Sequence, residues 1–155
     1  MINLNISNYT SPYQHLNGNS PLNVTTFDLA RALATVGRKS WGDTFKNGIF
    51  RIGELICKAL AFAKTEKGNL ILEDRFFNLN QSEKVSISYY FGQALTKLYA
   101  EKFFNAKWLL HVDDYSSLIQ TYTKGTAIPK IVIAKNSKNA SRPDLIAITK
   151  KNKAH

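Results

Sequence analysis

The chain has 155 residues, 44% of them hydrophobic, which suffices for one domain that buries roughly two-thirds of its unfolded surface without disulfides or metals. No apolar run approaches the ~20 residues that span a bilayer, and the first residues, MINLNISNYTSPYQ, lack a basic and then apolar leader, so a cytoplasmic protein without a membrane partner is expected. The charge is +10, and residues 121–155 hold eight cations against Asp144 alone, a net +7, which suits phosphate backbones; the bland alternative is a solvated lysine-rich surface.

In chain order, residues 1–24 are rich in Asn, Ser, Thr and Pro and read as a flexible N-terminal arm, leaving 25–155 as a single α/β domain. Thr25 or Thr26 is placed to cap a short helix through Phe27, Leu29, Ala30, Leu33, Ala34 and Val36, closed by Gly37. Asp43 then caps a longer helix, in which Phe45, Ile49, Ile52, Ile56, Ala59, Leu60 and Ala63 recur at helical spacing before Lys67-Gly68. Cys57, the single cysteine, lies inside that pattern and reads as a small buried apolar residue. Leu70-Ile71-Leu72 is ambiguous, and Glu73-Asp74-Arg75 reads as an exposed connection.

A long helix starts near Ser82 in SEKVSISYYFGQALTKLYAEKFF. At 100° per residue Ile87, Tyr90, Phe91, Ala94 and Leu98 fall on one side, and Gln93 and Lys97 on the other. Gly92 within it predicts close approach by a neighbouring element. Glu101 borders the apolar face, where a carboxylate is partly desolvated unless a cation meets it; the simple alternative is a surface pair with Lys97 at i, i+4. Tyr89, Tyr90, Tyr99, Phe103 and Phe104 offer stacking surfaces, although such spacing is more often core.

Beyond this helix the period changes. Residues 108–112 (WLLHV), 131–134 (IVIA) and 145–148 (LIAI) are short apolar runs with polar or turn-forming boundaries, as in strands buried on both faces and covered by helices. The fold class is therefore α/β, with α+β as the variant: N-terminal helices, then a helix and a small central sheet. His111 beside Asp113 and Asp114 invites a metal-site reading, but a histidine in an apolar strand is more often a core residue. His15 and His155 support no site, and no phosphate-loop, dinucleotide or nucleophile-elbow motif is present.

The helix bearing Glu101, the first strand, the second strand and then Arg142-Pro143-Asp144 entering Leu145-Ile146-Ala147-Ile148 together resemble the front half of the PD-(D/E)XK nuclease superfamily, over roughly residues 82–148. The resemblance implies a restriction-endonuclease-like fold in which Asp144 matches the Pro-Asp aspartate and Glu101 the helix acid that some members place near the metal. Those two carboxylates would hold Mg²⁺, which activates water and stabilises charge on a scissile phosphate. Lys135, Lys138, Arg142, Lys150 and Lys151 would contact the phosphates of a nucleic acid, DNA in the first instance.

After Ile148 the chain reads TKKNKAH, with no Glu-x-Lys or Asp-x-Lys tripeptide. The expectation is thus a nucleic-acid-binding, nuclease-related domain with an incomplete catalytic site, either the front part of a longer protein or a degenerate form. If active, it would be a Mg²⁺-dependent DNA endonuclease. The alternative is a non-catalytic interaction or structural domain with a basic surface, and a homodimer stays open.

Overall fold

The computed structural model describes residues 2–6, 14, 18–112, 114, 115 and 145–149. These form a mixed α and β fold. Strands β1 (Ile2–Ile6) and β2 (Gly18–Leu22) pair antiparallel, with Ile2 opposite Leu22 and Ile6 opposite Gly18. Within the stretch predicted as an arm the sequence INLNI does alternate apolar and polar, the period of a strand. The end of that stretch is anchored, since Leu22 and Val24 are buried in the core.

Helix α1 (Thr26–Thr35) begins at Thr25, whose hydroxyl accepts from the Asp28 N–H while the Asp28 carboxylate accepts from the Thr25 N–H, a reciprocal capping box. It is the central helix, packed against α3 and α5, with Leu29 and Leu33 fully enclosed. Phe27, predicted for its apolar face, is 79% exposed. It lies two residues before Leu29, about 160° around the helix, so the face that buries one exposes the other.

The single long helix predicted from Asp43 to Lys67 is instead three elements. Helix α2 (Trp41–Lys46) is capped by Ser40 rather than Asp43. Gly48, at φ 85°, interrupts the path, and α3 (Ile49–Phe62) follows. The chain then enters β3 (Ala63–Glu66) and returns as β4 (Asn69–Leu72), antiparallel. Lys67 and Gly68 both take positive φ, the pair of left-handed residues that a tight hairpin requires, so they turn a hairpin instead of closing a helix. Cys57 is exposed, not buried, because α3 turns only Ile52 and Ala59 fully inward.

A short α4 (Asp74–Phe77) replaces the predicted connection at 73–75 and buries Phe76. Helix α5 (Gln81–Phe104) starts at Asn80, which forms a second capping box with Glu83, and stops at Asn105 in the left-handed conformation. Ile87, Phe91, Ala94 and Leu98 enter the core with α1 and α3, as their spacing predicts. Gly92 does not: a Cβ there would meet nothing within 4 Å, and it borders a cavity of about 360 Å³ between α5 and β4.

Strand β5 (Ala106–His111) pairs antiparallel with β6 (Leu145–Thr149), His111 opposite Leu145 and Leu109 opposite Ala147, with an irregularity between Ala106 and Trp108. Instead of one central sheet, the described residues form three two-stranded antiparallel sheets. Burial on both faces holds for β5 only in part, and in β6 Ala147 is exposed. The run 131–134 lies outside the described residues. Among them no helix is long and apolar enough to cross a membrane.

Among the described residues a close backbone approach occurs at Gly37, which bridges to Leu110 in parallel and lies against the His111 ring. Its φ is +78°, and a Cβ there would overlap the His111 imidazole. Gly37→Ala is therefore expected to destabilise the fold by about 2–4 kcal/mol through left-handed strain and overpacking. Gly92→Ala, in open space within a helix, should stabilise it by about 0.5–1 kcal/mol. Urea denaturation of the two variants checks both signs.

Candidate functional site

The side of α5 that sequence periodicity marks as polar is covered by β5, and this places Lys97 in the interior. Lys97 is the largest of the fully buried side chains, at 1% exposure. Its ammonium lies 2.9 Å from Glu101 Oε1, one turn further along α5, and 5.3 Å from the centre of the Trp108 ring on β5. Arg31 reaches Glu101 from α1 with both guanidinium arms, Nη1 donating to Oε1 at 3.1 Å and Nη2 to Oε2 at 2.8 Å. A planar guanidinium fits a carboxylate in this two-bonded way, and such pairs are stronger than single contacts.

Glu101 is thus met by two cations and both of its oxygens are engaged. Partial burial pushes its pKa up, but the bonds from Arg31 and Lys97 and their charges outweigh this and hold the carboxyl below the ordinary glutamate range. The same bonds raise the Arg31 pKa despite some desolvation. A divalent cation would compete with both cationic partners for this carboxylate, and among the described residues no group of His, Cys, Asp or Glu stands with it to complete a metal site. As arranged, Glu101 holds Arg31 and Lys97.

Trp108 extends the cluster outward, because Trp41 of α2 packs edge-to-face on it with centroids 6.2 Å apart. A second polar clasp lies nearby in the fold. The Tyr115 hydroxyl donates to Asp43 Oδ2, the Lys39 N–H donates to the same oxygen at 3.3 Å, and the Lys39 ammonium stands 5.7 Å from the Tyr115 ring centre. Desolvation raises the Asp43 pKa, but the Tyr115 and Lys39 bonds and the charges of Arg38 and Lys39 bring it below the usual value. Tyr115 moves the other way, raised by burial and by its bond to the Asp43 carboxylate.

His111 packs on Gly37, and its predicted companion Asp113 lies outside the described residues. Among those residues no group of three or more His, Cys, Asp or Glu side chains is arranged to hold a metal. Asp144, Lys135, Lys138, Arg142, Lys150 and Lys151 all lie outside them, so of the predicted site only Glu101 has described surroundings. Of the aromatic residues that α5 offers, Tyr89 is exposed, Phe91 is buried in the core, and Tyr90 and Phe103 pack against it while partly exposed.

Sequence reasoning offered Lys97 as a partner of Glu101, but as a surface pair rather than a buried one; it missed Arg31, and it missed an exposed run on α2 and α3. Trp41, Phe45, Ile49 and Phe50 are 51%, 60%, 64% and 91% exposed. The signal for that run was the placing of a cation within two positions of each aromatic residue, in Lys39/Trp41, Phe45/Lys46 and Phe50/Arg51. Comparison of the chain with protein-family models, with curated proteins and with solved structures found no match.

Removing the carboxylate should be worse than removing the buried ammonium. Glu101→Gln strands Lys97 and is expected to destabilise the protein by about 2–3 kcal/mol, whereas Lys97→Met, a similar volume without charge, should change stability by less than about 1 kcal/mol. Because the folded-state pKa of Glu101 is depressed, its contribution is complete above the unfolded value of about 4.3 and is lost as pH falls through the folded one. Urea midpoints of wild type and Glu101→Gln should therefore differ by a constant amount at neutral pH and converge below about pH 4.

Proposed function

We propose that this chain is a DNA-binding domain built like the front half of a metal-dependent nuclease core, and that in the form present here it binds without cutting. The observation that carries the reading is the order α5, β5, β6. A long helix leads through one tight turn into a strand, and the antiparallel partner of that strand begins at Leu145, directly after Arg142-Pro143-Asp144. That order agrees with the first and last strands that the resemblance requires, while its middle strand, 131–134, lies outside the described residues; the net +7 over residues 121–155 supports the reading.

The charge pattern suits a polyanion. Lys135, Lys138, Arg142, Lys150 and Lys151 lie before and after β6 in the sequence and supply cations for successive phosphates. Catalysis is a separate matter. With Glu101 engaged by Arg31 and Lys97, Asp144 is the one of the two candidate carboxylates left for a metal. One carboxylate does not make the oxygen cage that positions a catalytic Mg²⁺. No hydrolytic step is therefore assigned.

Five phosphate contacts would give a slope of log affinity against log salt of about −4.5, a loss of about 500-fold between about 50 and 200 mM salt. Fluorescence anisotropy with labelled duplex DNA measures it. Arg142→Ala combined with Lys150→Ala and Lys151→Ala should flatten the slope by about 2–3. Salt-independent binding would overturn the reading. Cleavage in Mg²⁺ that Asp144→Ala abolishes would overturn the conclusion that the domain only binds.

A further inference from the structure

The aromatic run on α2 and α3 has no place in the fold's own packing. From Phe45 to Arg51 seven consecutive residues are exposed, across the break at Gly48. Phe50 is almost wholly in water, and Phe45 and Trp41 stand one turn apart on the same side of α2. Exposing three large rings within ten positions is unfavourable for a free surface and marks a place where something binds.

The charges say what kind of occupant fits. Arg38, Lys39, Lys46 and Arg51 lie in this stretch; Arg51 is paired with Glu54 at 2.5 Å, and the one acid among these positions, Asp43, has its carboxylate engaged by Tyr115 and the Lys39 N–H. The face is therefore cationic as well as aromatic. A second copy of the same face would be repelled by it. A lipid surface would favour a continuous apolar stripe, whereas here Phe45 and Phe50 each have a cation next to them in sequence and Trp41 has Lys39 two positions before it.

We infer that the α2–α3 face binds single-stranded nucleic acid, with bases stacking on Trp41, Phe45 and Phe50 and phosphates meeting Lys39 and Lys46. This rests on the nucleic-acid reading above and adds a second surface with a different preference. Rings can stack only on bases that are not already stacked in a duplex, while the ammonium groups track the backbone. Trp41 is pre-oriented for this, since its edge-to-face contact with Trp108 fixes the ring while half of it stays open to solvent. That same contact joins the face to β5, the strand on which the proposed nuclease-like core is built.

The test is anisotropy of the full chain with an oligothymidylate of about 20 nucleotides, longer than the about 4–16 that one module covers, and with a duplex of equal length. The single strand should bind more tightly. Phe45→Ala combined with Phe50→Ala should weaken it about 30-fold or more and leave duplex binding unchanged. Both residues are exposed, so circular dichroism should show an unaltered fold, and Ile49→Ala, an apolar change on the same face, should have no effect.

Equal loss on single strand and duplex, or no loss on either, would overturn this inference and leave the duplex reading standing. Absence of binding to any nucleic acid would overturn both. The inference also fails if wild type, but not the double variant, sediments with phosphatidylglycerol vesicles or as a dimer, while single-strand binding is the same for both.

Discussion

A lysine ammonium held out of water must be met by a negative charge, and Lys97 is met by Glu101. That one requirement organises the molecule. Glu101 would be over-compensated as a surface acid and under-compensated as a buried one, and its position at 23% side-chain exposure lets it accept from Lys97 inside and Arg31 at the rim. The three residues come from α1 and α5, and the ammonium faces Trp108 of β5. A shift of any of these three elements would leave a charge without its partner. The cluster therefore acts as a registration device between the helical body and the strand pair, a role for which ion pairs are better suited than for raw stability.

This also accounts for the character of α5. A helix with one covered face shows a single apolar stripe, but α5 has two covered faces: Ile87, Phe91, Ala94 and Leu98 meet α1 and α3, while Lys97 and Ala100 turn toward β5. The second face is lined by small or charged residues, so it has no apolar signature. From Trp108 the order passes to Trp41 and so to α2, whose other anchor is the Asp43–Tyr115 bond. The aromatic face is thus fixed at Trp108 of β5 and at Tyr115 beyond its end, although Phe45 and Phe50 stay exposed.

What the sequence made legible follows the reach of local interactions. The start of α1 at Thr25, the apolar spacing of α5 and the strand character of 108–112 and 145–148 are encoded within a few residues, and all are present. The break at Gly48 and the β3–β4 hairpin were not anticipated, because Ile49 to Ala63 keeps helical spacing and Lys67-Gly68 serves a helix end as readily as a turn. The surroundings of Glu101 were half legible. Lys97 stands four residues before it, but Arg31 is seventy positions away in sequence, and no local pattern links them. Asp144 and the basic residues around it remain sequence-derived, and so does the family resemblance.

The pairing of His111 with Leu145 spans 34 positions, since 145 − 111 = 34, far more than the tight β3–β4 hairpin. Closing a loop of that length precedes any reward from the ladder, so this strand pair forms more slowly than that hairpin. Until it closes, β5 presents Trp108, Leu109 and Leu110 on an open edge, the kind of strand that recruits other chains. The bridge from Gly37 to Leu110 lies on the other edge of β5, since Leu110 pairs with Ile146 of β6 on the first. A glycine first described for its close fit to a histidine ring thereby also covers the far edge of the strand, so that one edge rather than two is left open while the proper partner is still distant.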